Sequence, residues 1–157
     1  MRVLGIDPGI GICGFGLIET KSRADAKALD FGVVTTKIRA PLPSRLLELY
    51  DGLTEVFESC KPDVVSVEKL FFSKNITTGI AVAEARGIVL LVAEQHGLPV
   101  FEYTPNEIKK TLTGYGSAGK PQMEEMVRVH LGLEKKPKPD DAADALAAAI
   151  THSLIKG

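Results

Sequence analysis

Arg2-Val3-Leu4-Gly5-Ile6-Asp7-Pro8-Gly9-Ile10-Gly11-Ile12-Cys13-Gly14-Phe15-Gly16-Leu17-Ile18-Glu19 can be read as the start of either of two folds. Gly9, Gly11 and Gly14 spell the GxGxxG fingerprint of a dinucleotide-binding turn. That turn must follow a strand and open a helix whose N-terminus holds the pyrophosphate. The strand is present, because Arg2 to Asp7 is a short apolar run stopped by Pro8-Gly9. The helix is missing. Ile12 to Glu19 is apolar but broken by Gly14 and Gly16, which suits a second strand after a tight turn. Leu29 to Ile38, rich in Val and Thr, supplies a third. Three strands with short connections predict an antiparallel meander.

Beyond the meander the hydrophobic period lengthens. Leu46, Leu49, Leu53, Val56, Phe57 and Cys60 recur every three or four residues, predicting an amphipathic helix over 44–60 with Ser44 as cap and Pro62 as stop. Asp63-Val64-Val65-Ser66-Val67-Glu68 follows as a buried strand. Residues 77–95 form a helix whose apolar stripe is too broad for one core-facing side, so it is either fully buried or covered partly by a partner chain. Residues 100–103 give a fifth strand. Thr104-Pro105-Asn106-Glu107 has capping-box spacing and opens a helix to Thr113 that Gly114 stops. Another helix runs from near Pro121 to Gly132, and a last one starts at Asp140 or Asp141 after Pro137-Lys138-Pro139. The predicted order is βββαβαβααα, an α/β fold of one domain over 1–157.

Composition sets the outer bounds. The chain has 157 residues, 45% of them hydrophobic and 25% charged, long enough for one core without staples. Cys13 and Cys60 form no CxxC and have no nearby ligand partner, which excludes a zinc ribbon and argues against a secreted disulfide scaffold. The thiols are expected to be reduced. No run of about 18 apolar residues appears, and Asp7 interrupts the N-terminus too early for a signal-peptide core, so a cytoplasmic protein with no membrane partner is expected. Charge is unevenly spread. Lys and Arg number 11 against 14 Asp and Glu over 1–108, seven against three over 109–139, and one against three over 140–157. A basic stretch thus borders an acidic one, the arrangement a phosphate-handling enzyme needs if folding joins them.

Gly114-Tyr115-Gly116-Ser117-Ala118-Gly119-Lys120 spells GxxxxGK, but Pro121 stands where a magnesium-binding Ser or Thr belongs, and a helix precedes it. What survives is Lys120 at a helix entrance, able to hold a phosphate alongside Lys109 or to sit in a solvated loop. The acids are more informative. Asp7 and Glu68 each end an apolar strand, at the edge where open α/β sheets place their sites. A right-handed crossover through helix 44–60 would set those strands parallel and about 4.8 Å apart. Asp141 and Asp144 share one helix face. On their own they read as caps and dipole partners, but with Asp7, Glu68 and the preceding basic stretch they read as an acidic pocket. An all-oxygen cluster suits Mg²⁺ or Mn²⁺ rather than zinc. His96, His130 and His152 are expected to be structural or solvated.

Gly5-Ile6-Asp7-Pro8-Gly9, Val67-Glu68-Lys69-Leu70-Phe71-Phe72, the Gly114 to Lys120 segment and Asp141-Ala142-Ala143-Asp144-Ala145-Leu146-Ala147 together resemble the ordered signature of RuvC-type Holliday junction resolvases. The first block alone also opens sugar kinases, actin and Hsp70 relatives. All four in this order span nearly the whole chain.

The resemblance implies an RNase H-like fold: a five-stranded mixed sheet, with the antiparallel meander joined to parallel strands and flanked by helices. It implies a homodimer that nicks opposed strands of four-way junction DNA, leaving 5′-phosphate and 3′-hydroxyl ends, in company with a RuvA-RuvB branch-migration complex. Asp7, Glu68, Asp141 and Asp144 match the metal-binding acids. Lys109 and Lys120 match basic residues near the DNA, and Phe71 an aromatic that stacks at the branch point or, alternatively, packs in the core. Two Mg²⁺ per subunit are implied, with Mn²⁺ as a substitute, one activating water and one stabilising the leaving 3′ oxygen. Asp140 is an extra acid that leaves the leading carboxylate open. The chain closes soon after its last helix without the basic tail of some relatives, so weaker junction affinity is expected. Three alternatives compete with this reading. A sugar-kinase or Hsp70-like ATPase lacks a second lobe here, a junction binder without catalysis gains nothing from clustered acids, and another RNase H-like nuclease would differ only in substrate.

Overall fold

Alternation along β1 (Arg2–Asp7) decides how the layers stack: Val3 faces one side of the sheet with Gly5 and Asp7, while Leu4 and Ile6 face the other. The computed structural model describes residues 1–23, 25–70 and 75–157. The remaining elements are β2 (Ile12–Ser22), β3 (Asp25–Thr35), α1 (Leu42–Cys60), β4 (Val64–Glu68), α2 (Ile76–Gln95), β5 (Val100–Tyr103), α3 (Pro105–Thr113), α4 (Lys120–Leu131) and α5 (Asp140–Lys156). The five strands form one sheet in the order β3-β2-β1-β4-β5. β1, β2 and β3 pair antiparallel, whereas β4 pairs parallel with both β1 and β5. The mixed sheet with its leading meander is the one the sequence predicts.

Two apolar cores lie on opposite faces of that sheet. Leu4, Ile6, Leu17, Val65 and Val67 pack against Leu49, Leu53 and Phe57 of α1 and Val89 and Val92 of α2. Val3, Ile18, Val64 and Tyr103 pack against α3, α4 and the alanine-rich α5. Each fully buried Leu, Ile or Phe contributes roughly 1.5–3 kcal/mol, so both faces are needed to hold the sheet between its helices.

Several boundaries differ from the sequence reading. α1 starts at Leu42, and Ser44 does not cap it: Pro41 occupies the cap position without a side-chain bond, and Pro43 lies in the first turn, where no N–H is required. Lys61, in the left-handed conformation with φ 46°, closes the helix by donating its N–H to the Phe57 carbonyl at 3.0 Å. β3 spans Asp25–Thr35 rather than 29–38. It is an edge strand whose first residues alternate solvent-facing Asp25 and Lys27 with Ala26 and Ala28 on the core, and its start is fixed by pairing of Ser22 with Asp25 and Thr20 with Ala26.

α2 is not fully buried. Ala85, Val89, Val92 and Ala93 face the core, while Ile76, Ile80 and Leu91 are 69%, 50% and 48% exposed. It reaches a mean hydropathy of 1.7, long and apolar enough by composition to cross a membrane. Its seat against α1 and the sheet, and the ion pair from Arg86 to Glu102 of β5, make it a layer of the α/β stack. α3 opens as expected: Glu107 N–H donates to Thr104 Oγ1 at 3.1 Å and Thr104 N–H to Glu107 Oε2 at 2.7 Å.

Candidate active site

β1 and β4 run parallel with Ile6 opposite Val67, so Asp7 and Glu68 are next in register at the strands' C-terminal ends. Side chains alternate along each strand. Gly5 and Asp7 of β1 and Val64, Ser66 and Glu68 of β4 therefore share the face covered by α5. Ser66 shows the direction, donating from Oγ to the Ala148 carbonyl of α5 at 2.7 Å. Both acids thus rise from the sheet toward the helix that carries Asp141 and Asp144.

α5 comes this close because the sheet beneath it has no side chains at the crossing. A methyl group on Gly5 would overlap the Ala145 carbonyl, one on Gly14 the Asp141 carbonyl, and one on Gly16 the Leu146 side chain. Gly14 also pairs across the sheet with Asp7. The glycines that imitate a dinucleotide fingerprint therefore include the seat of the acid-bearing helix. Ala142, Ala143, Ala145, Ala148 and Ala149 are the helix's side of the same fit.

Electrostatics binds the four acids into one cluster. The Asp7 carboxyl is pushed up to about 8, first by burial, then by the negative charges of Asp144, Glu68 and Asp141, with Lys120 opposing. Glu68 is raised by burial and by Asp144, and Lys109 pulls it down. Asp144 is raised by burial against the pull of Lys120, with Asp141 and Asp140 adding to the rise. Lys120 and Lys109 offset only part of the repulsion among these partly buried carboxylates, and a hard, all-oxygen donor set suits a divalent ion of the Mg²⁺ or Mn²⁺ type. Among the described residues no three His, Cys, Asp or Glu side chains are drawn together into a closed ligating cage. Asp7, Glu68 and Asp144 instead line open space.

That space consists of two clefts sharing Glu68 and Pro105. One, of about 320 Å³, lies between Asp7, Glu68 and the start of α2 at Asn75, Thr78 and Gly79. The other, of about 330 Å³, is lined by Glu68, Lys109, Gly119, Lys120 and Asp144. Lys109 and Lys120 thus face the same cleft as two of the acids, and the basic stretch meets the acidic one. Lys120 Nζ lies 3.7 Å from Asp144 Oδ2 and 3.4 Å from Asp140 Oδ2. Gly119 is the N-cap of α4 and Lys120 its first residue.

Asp140 acts on Asp144 but not on the two strand acids. Its carboxyl is held below the usual range by hydrogen bonds from Lys138 and Lys120, and it is not among the charges that raise Asp7 or Glu68. Phe71 lies outside the described residues. The histidines are structural where their contacts are clear: His152 is buried with Nδ1 2.9 Å from the Tyr103 hydroxyl, and His96 caps α2 against Phe57. The sequence reading did not single out Ser66, although a lone hydroxyl in Val64-Val65-Ser66-Val67 on the face of Glu68 is a legible signal.

Sheet order, strand directions and the acid-bearing closing helix are those of the RNase H-like nucleases. The sequence profile of the crossover junction endodeoxyribonuclease RuvC family matches residues 3–152. A crossover junction endodeoxyribonuclease RuvC from Brevibacillus brevis is 48% identical over 156 residues, 99% of this chain and 93% of its own. Another, from Chloroflexus aggregans, is 50% identical over 153 residues, 98% of this chain and 93% of its own. The solved structure of T. thermophilus RuvC in complex with Holliday junction substrate aligns with a TM-score of 0.92 at 38% identity, covering 98% of this chain and 93% of that one. The chain belongs to the RuvC family of crossover junction endodeoxyribonucleases, which are metal-dependent nucleases.

Proposed function

We propose that this chain, acting as one nuclease domain, resolves four-way DNA junctions by symmetric nicks on two opposed strands, leaving 5′-phosphate and 3′-hydroxyl ends that can be religated. The single observation that carries the reading is that Asp7 and Glu68 share the sheet face covered by α5, where Asp144 acts electrostatically on both. A family relative has been solved with a Holliday junction substrate, which supports the substrate class.

In this reading Asp7, Glu68, Asp141 and Asp144 hold the metal. Two Mg²⁺ ions per subunit, replaceable by Mn²⁺, would supply activated water and charge neutralisation when bound. The chain's own residues do the positioning. Lys109 and Lys120 hold backbone phosphates at the cleft they share with Glu68 and Asp144, without reading bases. Ser66 and the glycines under α5 keep the four acids at fixed separation, so that the site is organised before the strand arrives.

Paired nicks need two sites related by symmetry, and a homodimer supplies them. The uncovered apolar side of α2, with Ile76, Ile80 and Leu91, is the surface assigned to the second copy. A RuvA-RuvB branch-migration complex is the partner that family membership favours. Cytoplasmic placement accords with Cys13 and Cys60, both buried and free.

The test is incubation with labelled four-way junction and linear duplex, with and without Mg²⁺, using wild type and Asp7→Asn. Paired nicks at the junction, dependent on Mg²⁺ and on Asp7, are expected. Binding without nicking overturns the assignment, and equal cutting of linear duplex replaces it with a general RNase H-like nuclease.

A further inference from the structure

Lys120 has two carboxylate neighbours, one turn apart on the same face of α5, and its ammonium bridges them. Asp144 belongs to the acid cluster and Asp140 does not, yet the ammonium lies slightly nearer to Asp140, at 3.4 Å against 3.7 Å. Asp140 is itself fixed from behind. Lys138 Nζ donates to its other oxygen, Oδ1, at 3.2 Å, and lies 3.9 Å from Oε2 of Glu124. The Glu124 side chain is only 11% exposed and belongs to α4, the helix that Lys120 opens. Charges alternate along this path, from Glu124 through Lys138, Asp140 and Lys120 to Asp144.

Such a path adds little to stability, since the Lys120 and Asp140 side chains are 53% and 47% exposed and solvent screens them. What it restricts is the place of one ammonium on a flexible four-carbon stem. Without Asp140, the anions left acting on Lys120 are Asp144 and Asp141, both members of the acid cluster.

We propose that Asp140 is a positioning residue for Lys120, sharing its ammonium with Asp144 so that the charge stays at the mouth of the cleft, where a backbone phosphate arrives, and does not pair with Asp144 alone. The proposal rests on the junction-nuclease reading. It also gives the extra acid beside Asp141 a role distinct from metal binding.

Two consequences of removing Asp140 have opposite signs, which makes the proposal testable. Loss of an anion beside a phosphate seat strengthens DNA binding by itself. Loss of the clamp slows nicking, because Lys120 then competes for Asp144. Single-turnover nicking of a four-way junction, junction affinity and Tm should be measured for wild type, Asp140→Asn, Asp140→Glu, Lys120→Met and the double variant Asp140→Asn with Lys120→Met. Asp140→Asn is expected to nick about fivefold more slowly with equal or tighter binding and unchanged Tm, and to lose less than about twofold when Lys120 is already Met. Asp140→Glu, which keeps the charge, stays within about twofold of wild type. An equal loss in both Lys120 backgrounds overturns the proposal in favour of a helix-dipole role, as does no loss with Lys120 intact. A wild type that nicks no four-way junction overturns the functional reading and the clamp with it, whereas normal wild-type nicking with additive variants overturns the clamp alone.

Discussion

Gly14 lies directly beneath the Asp141 carbonyl and beside Asp7 in the adjacent strand, so one missing side chain lets acids 134 residues apart in sequence meet. A methyl group at Gly14 has nowhere to go but into the α5 backbone. Gly14→Ala is therefore expected to displace the first turn of α5, costing about 1–3 kcal/mol of stability by overpacking. Nicking should fall by at least tenfold, roughly the effect of a 1 Å misplacement, while junction binding stays near wild type. Unchanged nicking with unchanged Tm would show that α5 is not seated by this contact.

Asp7→Asn removes a carboxylate that burial and three neighbouring acids oppose. The metal-free variant is expected to be more stable than wild type, by about 2–4 °C in Tm for each kcal/mol gained. Its nicking should be undetectable. Calorimetry with and without Mg²⁺ checks both statements, and a lower Tm in the metal-free variant would contradict the electrostatic reading of the cluster.

His152 gives the fold a pH dependence whose sign is fixed by its burial. Its ring is buried beside Phe101 and bonded to Tyr103, and burial, aided by Lys156, holds its pKa below the usual 6.5. Above that value the ring is neutral in both folded and unfolded chains and its packing is fully retained. As pH falls through 6.5 the unfolded chain takes up a proton that the folded one resists, so stability is lost from there down to the folded pKa. Urea unfolding at pH 7.5 and 5.5 should show a smaller loss in His152→Gln than in wild type. An equal loss in both would remove His152 as a source.

The exposed side of α2 predicts a dimer that one charge breaks. Ile80, half exposed amid apolar neighbours, is expected to tolerate Asp in the monomer but not between two copies. Light scattering should give twice the chain mass for wild type and a single chain mass for Ile80→Asp. A monomeric wild type at micromolar concentration, or a dimeric variant, would place the interface elsewhere.

The strands that carry the site were legible because they are buried on both faces. Arg2 to Asp7 and Val64 to Glu68 read as apolar runs ending in an acid, and their parallel pairing follows from the handedness of the crossover. Edge strand β3 begins four residues before the apolar run that marks it in sequence, because its first core-facing side chains, Ala26 and Ala28, are too small to stand out between Asp25 and Lys27. The start of α1 does not follow from Ser44 as a cap, because the helix begins between Pro41 and Pro43, where no side-chain cap is made. α2 was read as too broad for one face, and it is: half of that breadth is uncovered in a single chain. The ion-pair path through Asp140 was not legible, since it depends on where α4 and α5 place Lys120 and Lys138 in space.

Mn²⁺ titrated into the protein alone, with the free ion counted by electron paramagnetic resonance, tests most directly whether four distant acids make one metal seat. Wild type should bind the ion, whereas Asp7→Asn and Asp144→Asn should each lose that binding. Undiminished binding in Asp7→Asn or Asp144→Asn would contradict the account.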